Sequence, residues 1–218
     1  TFKKAMGRGR GGGGGGGRRA PPPAQSRSSS SVPAPRQSSG GGGGMSREDT
    51  VKEKIEKELL PMLPVDFIWI DIQERLRNLR GPKGLGEAGR YDLIPLNIFL
   101  SQEIQRFQTI LTIVRRTMND MIDAIDGSII MTPDIVDSIN AVFDFRVPKK
   151  WQYDPTGAEI SWLTVSLAGW IKGLLDRYHQ LNGWISKERP PSFWLTGFFN
   201  PQGFLTSMKQ EVTRQRKA

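Results

Sequence analysis

The 218-residue sequence contains only one histidine, and it has no cysteine and no long apolar run, two absences that each exclude a class of protein. Without cysteine, neither a disulfide framework nor a thiolate metal site is possible. No apolar stretch approaches the roughly 18–20 residues that cross a bilayer, and the N-terminus lacks the apolar core of a secretory signal. These absences predict a soluble, intracellular protein with no membrane partner.

Acidic residues are absent from residues 1–44, although eight of the 31 lysines and arginines lie there. The other 23 basic residues are balanced by 22 acidic residues in 45–218, so nearly all of the net charge of +9 belongs to the N-terminal stretch. That stretch also holds 14 of the 25 glycines, which predicts a disordered tail. Two interpretations stay open: a linker or foreign extension, or an Arg/Gly-rich arm that binds RNA or other anions.

Apolar residues recur at helical spacing through most of residues 45–218, which predicts an all-α fold, a bundle-like array with long helices. Ser46 is suited to cap a first helix that ends at one of the two prolines following it. The third helix would be the longest, with Asn97 as its cap and Gly127 at its end. A second helix between them, over residues 66–80, would bury one stripe of side chains: Ile68, Ile72, Leu76 and Leu79.

Three further helices are expected in the second half of the chain. A short one begins with Thr132 as cap and Pro133 in its first turn, and a long one covers residues 161–184. The segment RPPSFWLTGFF that follows should be extended, because prolines interrupt helices and aromatic residues favour strand-like packing. Asn200 and Pro201 then provide the cap and first turn of a last helix.

Few residues offer catalytic or metal-binding chemistry. The glycines of residues 84–89 match the GxGxxG pattern of dinucleotide sites, but they follow a helix instead of a strand, which favours a flexible loop. The lone histidine, His179, is expected at the surface, and Glu103 and Asp123 are interpreted as surface residues or local ion-pair partners. The sequence also lacks a GxxxxGKS or GxxxxGKT phosphate loop. It therefore predicts no catalytic residue, cofactor or metal site, and no enzyme.

The most unusual stretch is FWLTGFFNPQGF, which places five aromatic side chains in the twelve positions 193–204. Each such side chain would bury roughly 150–250 Å², so leaving all five in water would be costly. The stretch therefore either forms part of a core or meets a partner surface.

Two long segments of the sequence resemble the C-terminal region of dynein heavy chains, most closely those of the axonemal outer-arm type. They are PLNIFLSQEIQRFQTILTIVRRTMNDMIDAIDGSIIMTPDIVDSINAVFDFRVPKKW and PPSFWLTGFFNPQGFLTSMKQEVTR. The resemblance covers roughly residues 50–215. It implies that residues 45–126 correspond to the small helical subdomain of the last AAA+ module. Residues 127–218 would be the helical first half of the C-terminal domain, which is expected to be truncated here.

The resemblance implies a non-catalytic structural or regulatory fragment of a ciliary dynein that packs against the AAA+ ring. ATP and Mg²⁺ would belong to parts of the motor outside this fragment, and so would the contact with microtubules. The expected partners are the rest of the motor ring and, in the parent complex, the intermediate and light chains. The expected location is the cytoskeleton, in the axoneme of a cilium or flagellum. The alternative is an adaptor that binds RNA or anions through the Arg/Gly-rich tail.

Together with the residues themselves, the resemblance favours a mechanical role for the aromatic stretch. We expect a packing corner that holds the last helix against neighbours bearing Trp151 and Trp170, with Gly197 and Gly203 allowing close approach. Such a corner would keep the domain rigid while the ring rearranges. The candidate structural or interface residues are Phe193, Trp194, Phe198, Phe199, Asn200, Pro201, Phe204, Trp151 and Trp170.

Overall fold

The computed structural model describes residues 44–79, 94–187 and 189–217 of the protein. Within these ranges the backbone forms helices and one isolated β-bridge but no β-strand, which confirms the predicted all-α fold. The predicted tail, apart from Gly44, and the GxGxxG glycines lie outside the described residues. The helices are α1 (Arg47–Lys54), α2 (Leu60–Met62), α3 (Trp69–Asn78), α4 (Pro95–Ile125), α5 (Pro133–Phe143), α6 (Lys149–Gln152), α7 (Leu167–Ser186) and α8 (Pro201–Lys217).

The first helix begins as predicted, because the Asp49 backbone N–H donates a hydrogen bond to the Ser46 Oγ at 3.0 Å. From α1 the backbone continues through a π-helical segment, Ile55–Leu59, into α2. The last residue of α2, Met62, lies between the two prolines of this segment. The start and the end of this helical unit therefore follow from local signals in the sequence.

The second helix is shorter than predicted, because α3 begins only at Trp69. The preceding residues are bound to α4 instead: the Phe67 N–H donates to Gln108 Oε1, and Gln108 Nε2 donates to Asp66 Oδ1, both at 2.8 Å. Ile68, which was expected on the buried stripe, is 61% exposed. The prediction for Ile68 is therefore wrong, because contacts with a distant glutamine keep residues 66–68 out of the helix.

The longest helix, α4, forms the spine of the fold, with 31 residues and a length of about 46 Å. It starts at Pro95, whose missing N–H costs nothing in a first helical turn. Asn97 therefore lies inside the helix, where it is buried and donates through Nδ2 to the Leu76 carbonyl oxygen at 3.2 Å. The cap predicted at Asn97 is wrong, since this residue's amide ties α4 to α3 instead.

The start of α5 agrees with the sequence, whereas that of α7 does not. Thr132 caps α5 by accepting from the Ile135 N–H at 3.4 Å. The long helix predicted from Ser161 begins only at Leu167, with Ser166 as its cap. Ser161 is buried in the preceding loop, where its Oγ donates to the carbonyl oxygen of Trp151 at 2.6 Å. This contact across ten residues holds the loop away from helical geometry.

One continuous cluster of buried apolar residues connects the helices, and α4 contacts α1, α3, α5, α6, α7 and α8. The described residues belong to one compact unit. The residues at the centre of α4, among them Phe107, Leu111, Val114 and Met118, have no exposed surface. The boundary expected between residues 126 and 127 stays a prediction. Because α4 contacts nearly every other helix, it positions the candidate site described next.

Candidate functional site

Residues 193–204, here called the aromatic corner, follow α7 and include the first turn of α8. The stretch predicted as extended contains one short 3₁₀ turn, Leu195–Gly197, and is otherwise irregular. As predicted from the sequence, Asn200 caps α8: the Gly203 N–H donates to its Oδ1 at 2.9 Å, and Pro201 is the first helical residue.

Three phenylalanines of the corner form an aromatic cluster with one ring from α4 and one from α7. The Phe198 and Phe204 ring centroids are 5.1 Å apart, and Phe193 lies 4.8 Å from Phe204. Phe99 of α4 meets Phe198 edge-on at 5.1 Å, and Trp184 of α7 lies 4.9 Å from Phe193. Edge-to-face and offset contacts of this kind each add about 0.5–1.5 kcal/mol beyond the burial of area. The aromatic cluster therefore holds the start of α8 against both long helices.

Four other indole rings and one guanidinium form a second group, the tryptophan–arginine stack, which runs through Trp151, Trp170, Trp162, Arg177 and Trp194 in that order. Successive ring centroids are 5.0 Å and 4.8 Å apart between the first three, and the Trp162 and Trp170 rings are nearly parallel, at 15°. The Arg177 guanidinium carbon lies 3.9 Å from the Trp162 centroid and 4.7 Å from that of Trp194. The stack thus joins α6, the following loop, α7 and the corner.

The neighbours of the last helix differ in part from those expected. It meets Trp184, which lies on the same helix as Trp170, whereas Trp151 belongs to the stack. Trp162 connects the stack to the corner through Phe199, at 6.3 Å between ring centroids. Trp184 lies on the same helical stripe as Trp170, so helical spacing could have identified it. Trp162 lies in a loop, where no periodic signal exists.

Glu103 on α4 is the polar centre of the site and is 1% exposed. Its Oε2 accepts from the Phe199 N–H at 2.7 Å, and its Oε1 accepts from the Asn200 N–H at 3.0 Å. Burial raises the pKa of this carboxyl above its ordinary value, although the two amides and the charges of Arg106 and Arg177 oppose the rise. The interpretation of Glu103 as a surface residue is wrong, since position 103 belongs to the buried face of α4.

Arg177, on α7, is a second buried charged residue that the sequence did not single out. It donates through Nη1 to the Gly173 carbonyl oxygen at 3.0 Å and through Nη2 to that of Thr196 at 3.3 Å. Burial lowers the pKa of the guanidinium to about 10, against the opposing effect of Asp176 and Glu103, so it stays positively charged at neutral pH.

Polar contacts also bind the exposed end of the corner to α7. The Trp194 N–H donates to Gln180 Oε1 at 2.7 Å, and Gln180 Nε2 donates to the Trp194 carbonyl oxygen at 3.3 Å. A Cβ at Gly197 would lie 2.3 Å from the Trp194 ring, so any larger residue here would force that ring to move. At Gly203 a Cβ would lie 2.5 Å from the Asn200 amide. At both glycines, side-chain atoms of a nearby residue lie close to the backbone, which is the close approach that the sequence predicted. His179 is exposed beside this region, as expected.

The described residues contain no group of three or more His, Asp or Glu residues that could hold a metal ion. The full sequence also has no phosphate loop that could bind the phosphates of a nucleotide. Among the described helices, none is long and apolar enough to cross a membrane.

Comparison with known proteins identifies relatives for most of this sequence. A family model described as the C-terminal domain of the dynein heavy chain matches residues 26–218. The protein is 40% identical over 169 residues to dynein axonemal heavy chain 5 of Mus musculus, and the match covers 78% of this sequence and 3% of that protein. It is 39% identical over 173 residues to the dynein gamma chain of the flagellar outer arm of Chlamydomonas reinhardtii, covering 79% and 4% of the two sequences.

A more distant relative is the ciliary dynein beta chain of Heliocidaris crassispina, 30% identical over 172 residues, with 78% of this sequence and 3% of that protein covered. The protein therefore spans only 3–4% of the length of these curated relatives. Their names are axonemal, flagellar or ciliary, in agreement with the resemblance found in the sequence. The family model covers far more than half of the residues, and both the all-α fold and the buried corner lie within it. This protein belongs to the family of C-terminal domains of dynein heavy chains.

Proposed function

We propose that this protein is a non-catalytic structural part of an axonemal dynein heavy chain and packs against the motor ring. In this proposal the aromatic corner keeps α8 rigid on α4 and α7, so that movements of the ring pass through the domain without being lost in local flexing. The observation that supports it most is the contact of Glu103 with the Phe199 and Asn200 amides. One buried carboxylate there binds both backbone donors at the start of α8, and it lies 96 and 97 residues away in the sequence.

ATP hydrolysis, Mg²⁺ binding and microtubule binding would then belong to other parts of a longer heavy chain. The expected partners are the motor ring and, in the assembled complex, the intermediate and light chains, and the location is the axoneme. The nine candidate residues would act as structural or interface residues. The alternative, RNA binding through residues 1–44, concerns residues that are almost all outside the described ranges and stays a prediction.

The proposal can be tested by adding the 218-residue protein in trans to an axonemal dynein heavy chain that ends before the matching C-terminal residues. We expect the two to elute together in gel filtration and the microtubule gliding velocity of the truncated motor to change when the protein is added. We also expect no ATP hydrolysis by the protein alone. Separate elution, or ATP hydrolysis by the protein alone, would contradict the proposal.

Two variants at adjacent positions of α4 distinguish the effect of loosening the corner from the effect of any substitution on this helix. Glu103→Ala removes the acceptor of two backbone amides, whereas Gln102→Ala changes an exposed neighbour. If rigidity of the corner matters, the Glu103 variant loses the effect on gliding velocity and the Gln102 variant keeps it. Equal behaviour of the two variants would remove the corner from the proposed mechanism.

A further inference from the structure

A cleft of about 600 Å³ lies between α4, the loop before α7 and the aromatic corner. We call it the arginine cleft, because Arg106 and Arg177 both line it. The rest of its wall is mainly apolar and includes Ile110, Ile113, Ile160, Trp162, Phe198 and Phe199. Its volume lies within the roughly 300–1,000 Å³ of clefts that hold small ligands or a few side chains.

The charge in this cleft is only partly compensated by the protein itself. Arg177 is only 7% exposed and donates to two carbonyl oxygens. None of the ion pairs found in the described ranges includes Arg177 or Arg106. Glu159 also lines the cleft but is exposed, and Glu103 is near but has both oxygens bound to the corner amides. A buried cation without a contacting anion is stabilised when an anion enters.

The chemistry of the two arginines indicates which anion fits. The ring of Trp162 covers one face of the Arg177 guanidinium and fixes its plane. Two of the five N–H donors of this guanidinium bind the Gly173 and Thr196 carbonyl oxygens, and the others lie in the same plane, the arrangement that matches a carboxylate. The apolar walls beside the arginines would accept aliphatic groups next to that carboxylate. We propose that the arginine cleft binds the carboxylate of an acidic residue, flanked by apolar residues, on a peptide segment of a partner protein.

This proposed binding site goes beyond the proposed packing role, and each of the two proposals can be contradicted without the other. The test uses the full 218-residue protein and two probes, the tripeptides Ac-Leu-Glu-Leu-NH₂ and Ac-Leu-Gln-Leu-NH₂, with inorganic phosphate as a third titrant. The readout is the set of tryptophan indole ¹H–¹⁵N signals in NMR. We expect the glutamate peptide to shift the Trp162 and Trp194 signals and to bind about ten-fold more tightly than the glutamine peptide.

Matched variants on α4 separate the cleft from other basic residues, including those of the tail. Arg106→Gln alters an exposed residue that lines the cleft. Arg116→Gln alters an arginine outside the cleft, whose side chain is 83% exposed. We expect the first variant to weaken binding of the glutamate peptide about ten-fold and the second to leave it unchanged. Binding by the tail would be insensitive to both variants and would not shift the two indole signals.

Three outcomes would overturn the proposal. The first is equal affinity for the two peptides, and the second is equal binding by the two variants. The third is phosphate binding as tight as that of the peptide, with the same indole shifts, which would assign the cleft to free anions. None of these results depends on whether the protein assembles with a motor ring.

Discussion

At the scale of single residues, the site depends on two charged groups inside an apolar environment. Glu103 is buried at a cost in desolvation, and the amides of Phe199 and Asn200 offset much of that cost. Arg177 is stabilised differently, by the rings of Trp162 and Trp194 on its faces and by carbonyl oxygens at its edge. Each residue thus fixes the backbone of the corner through groups that an apolar residue lacks.

Replacing Glu103 with alanine should destabilise the protein by about 1–3 kcal/mol, because two buried amide donors lose their acceptor. Glu103→Gln keeps one acceptor oxygen and should cost less. Urea unfolding of the full-length protein measures both differences. Gln102→Ala is the control at an exposed position of the same helix. A Glu103→Ala variant as stable as this control would show that the two hydrogen bonds contribute little.

The stability of the protein should depend on pH through Glu103 in a direction set by its burial. Because burial raises the pKa of the folded state above the ordinary 4.5, the folded protein holds this proton more tightly than the unfolded one. The contribution of this proton to the free energy of unfolding is complete below the ordinary pKa of the carboxyl. It is lost as the pH rises through the pKa that Glu103 has in the folded state. We therefore expect the wild type to lose stability relative to Glu103→Gln above pH 4.5, measured by urea unfolding at several pH values. A difference that stays constant, or grows in favour of the wild type, would contradict this.

At the scale of elements, α8 is attached by both ends. Asn200 caps its start, and Phe204 places one ring of its first turn in the aromatic cluster. Nearer its C-terminal end, Glu211 is 2% exposed and accepts from Arg189 at 2.7 Å. Among the residues of this helix whose burial is described, only Phe204 and Glu211 are buried and Met208 is partly buried against the core, so its position depends on these contacts more than on a broad apolar face.

The cap of α8 gives a prediction for Gly203. Alanine normally stabilises a helix by about 0.5–1 kcal/mol relative to glycine, but here its Cβ would displace the Asn200 amide. Since loss of an asparagine cap costs about 1 kcal/mol, Gly203→Ala alone should be nearly neutral. In an Asn200→Ala background the same change should stabilise by about 0.5–1 kcal/mol. A double-mutant cycle by urea unfolding measures this coupling, and equal effects in both backgrounds would mean that the cap and Gly203 act independently.

At the scale of the whole molecule, α4 makes the core continuous. Its buried residues meet α1 and α3 on the N-terminal side of the sequence and α5 to α8 on the C-terminal side. Because the core is shared, neither half of the protein can unfold without exposing buried apolar surface of the other half. The residues described here should therefore unfold together.

Leu111→Ala in the full-length protein tests this expectation. Leu111 is fully buried at the centre of α4, so the change should cost about 2–5 kcal/mol. Five of the six tryptophans lie in residues 127–218, so fluorescence reports mainly on that half, whereas far-UV circular dichroism reports on all helices. We expect both signals to shift together, with Gln105→Ala as an exposed control on the same helix. Two separate transitions would instead support two domains that meet near residue 126.

The sequence by itself determined the features whose causes are local. The caps at Ser46, Thr132 and Asn200 each bind an amide three residues later, so nothing beyond one helical turn is needed to predict them. The spacing of apolar residues over α4 likewise predicts a long helix wherever its partners lie. The two long segments quoted above were also sufficient for the family, because motifs of that length are specific.

Only the tertiary structure decided the roles of residues whose partners lie far away in the sequence. Glu103 and Asn97 have the types expected of a surface acid and a cap, yet their partners are 96 and 21 residues away. Gln108 excludes Ile68 from its predicted helix in the same way, by binding the backbone beside it. Spacing along one helix tells which face a residue occupies. Whether that face meets an amide, a ring or water depends on how the helices pack, because burial removes competing water and makes such contacts decisive.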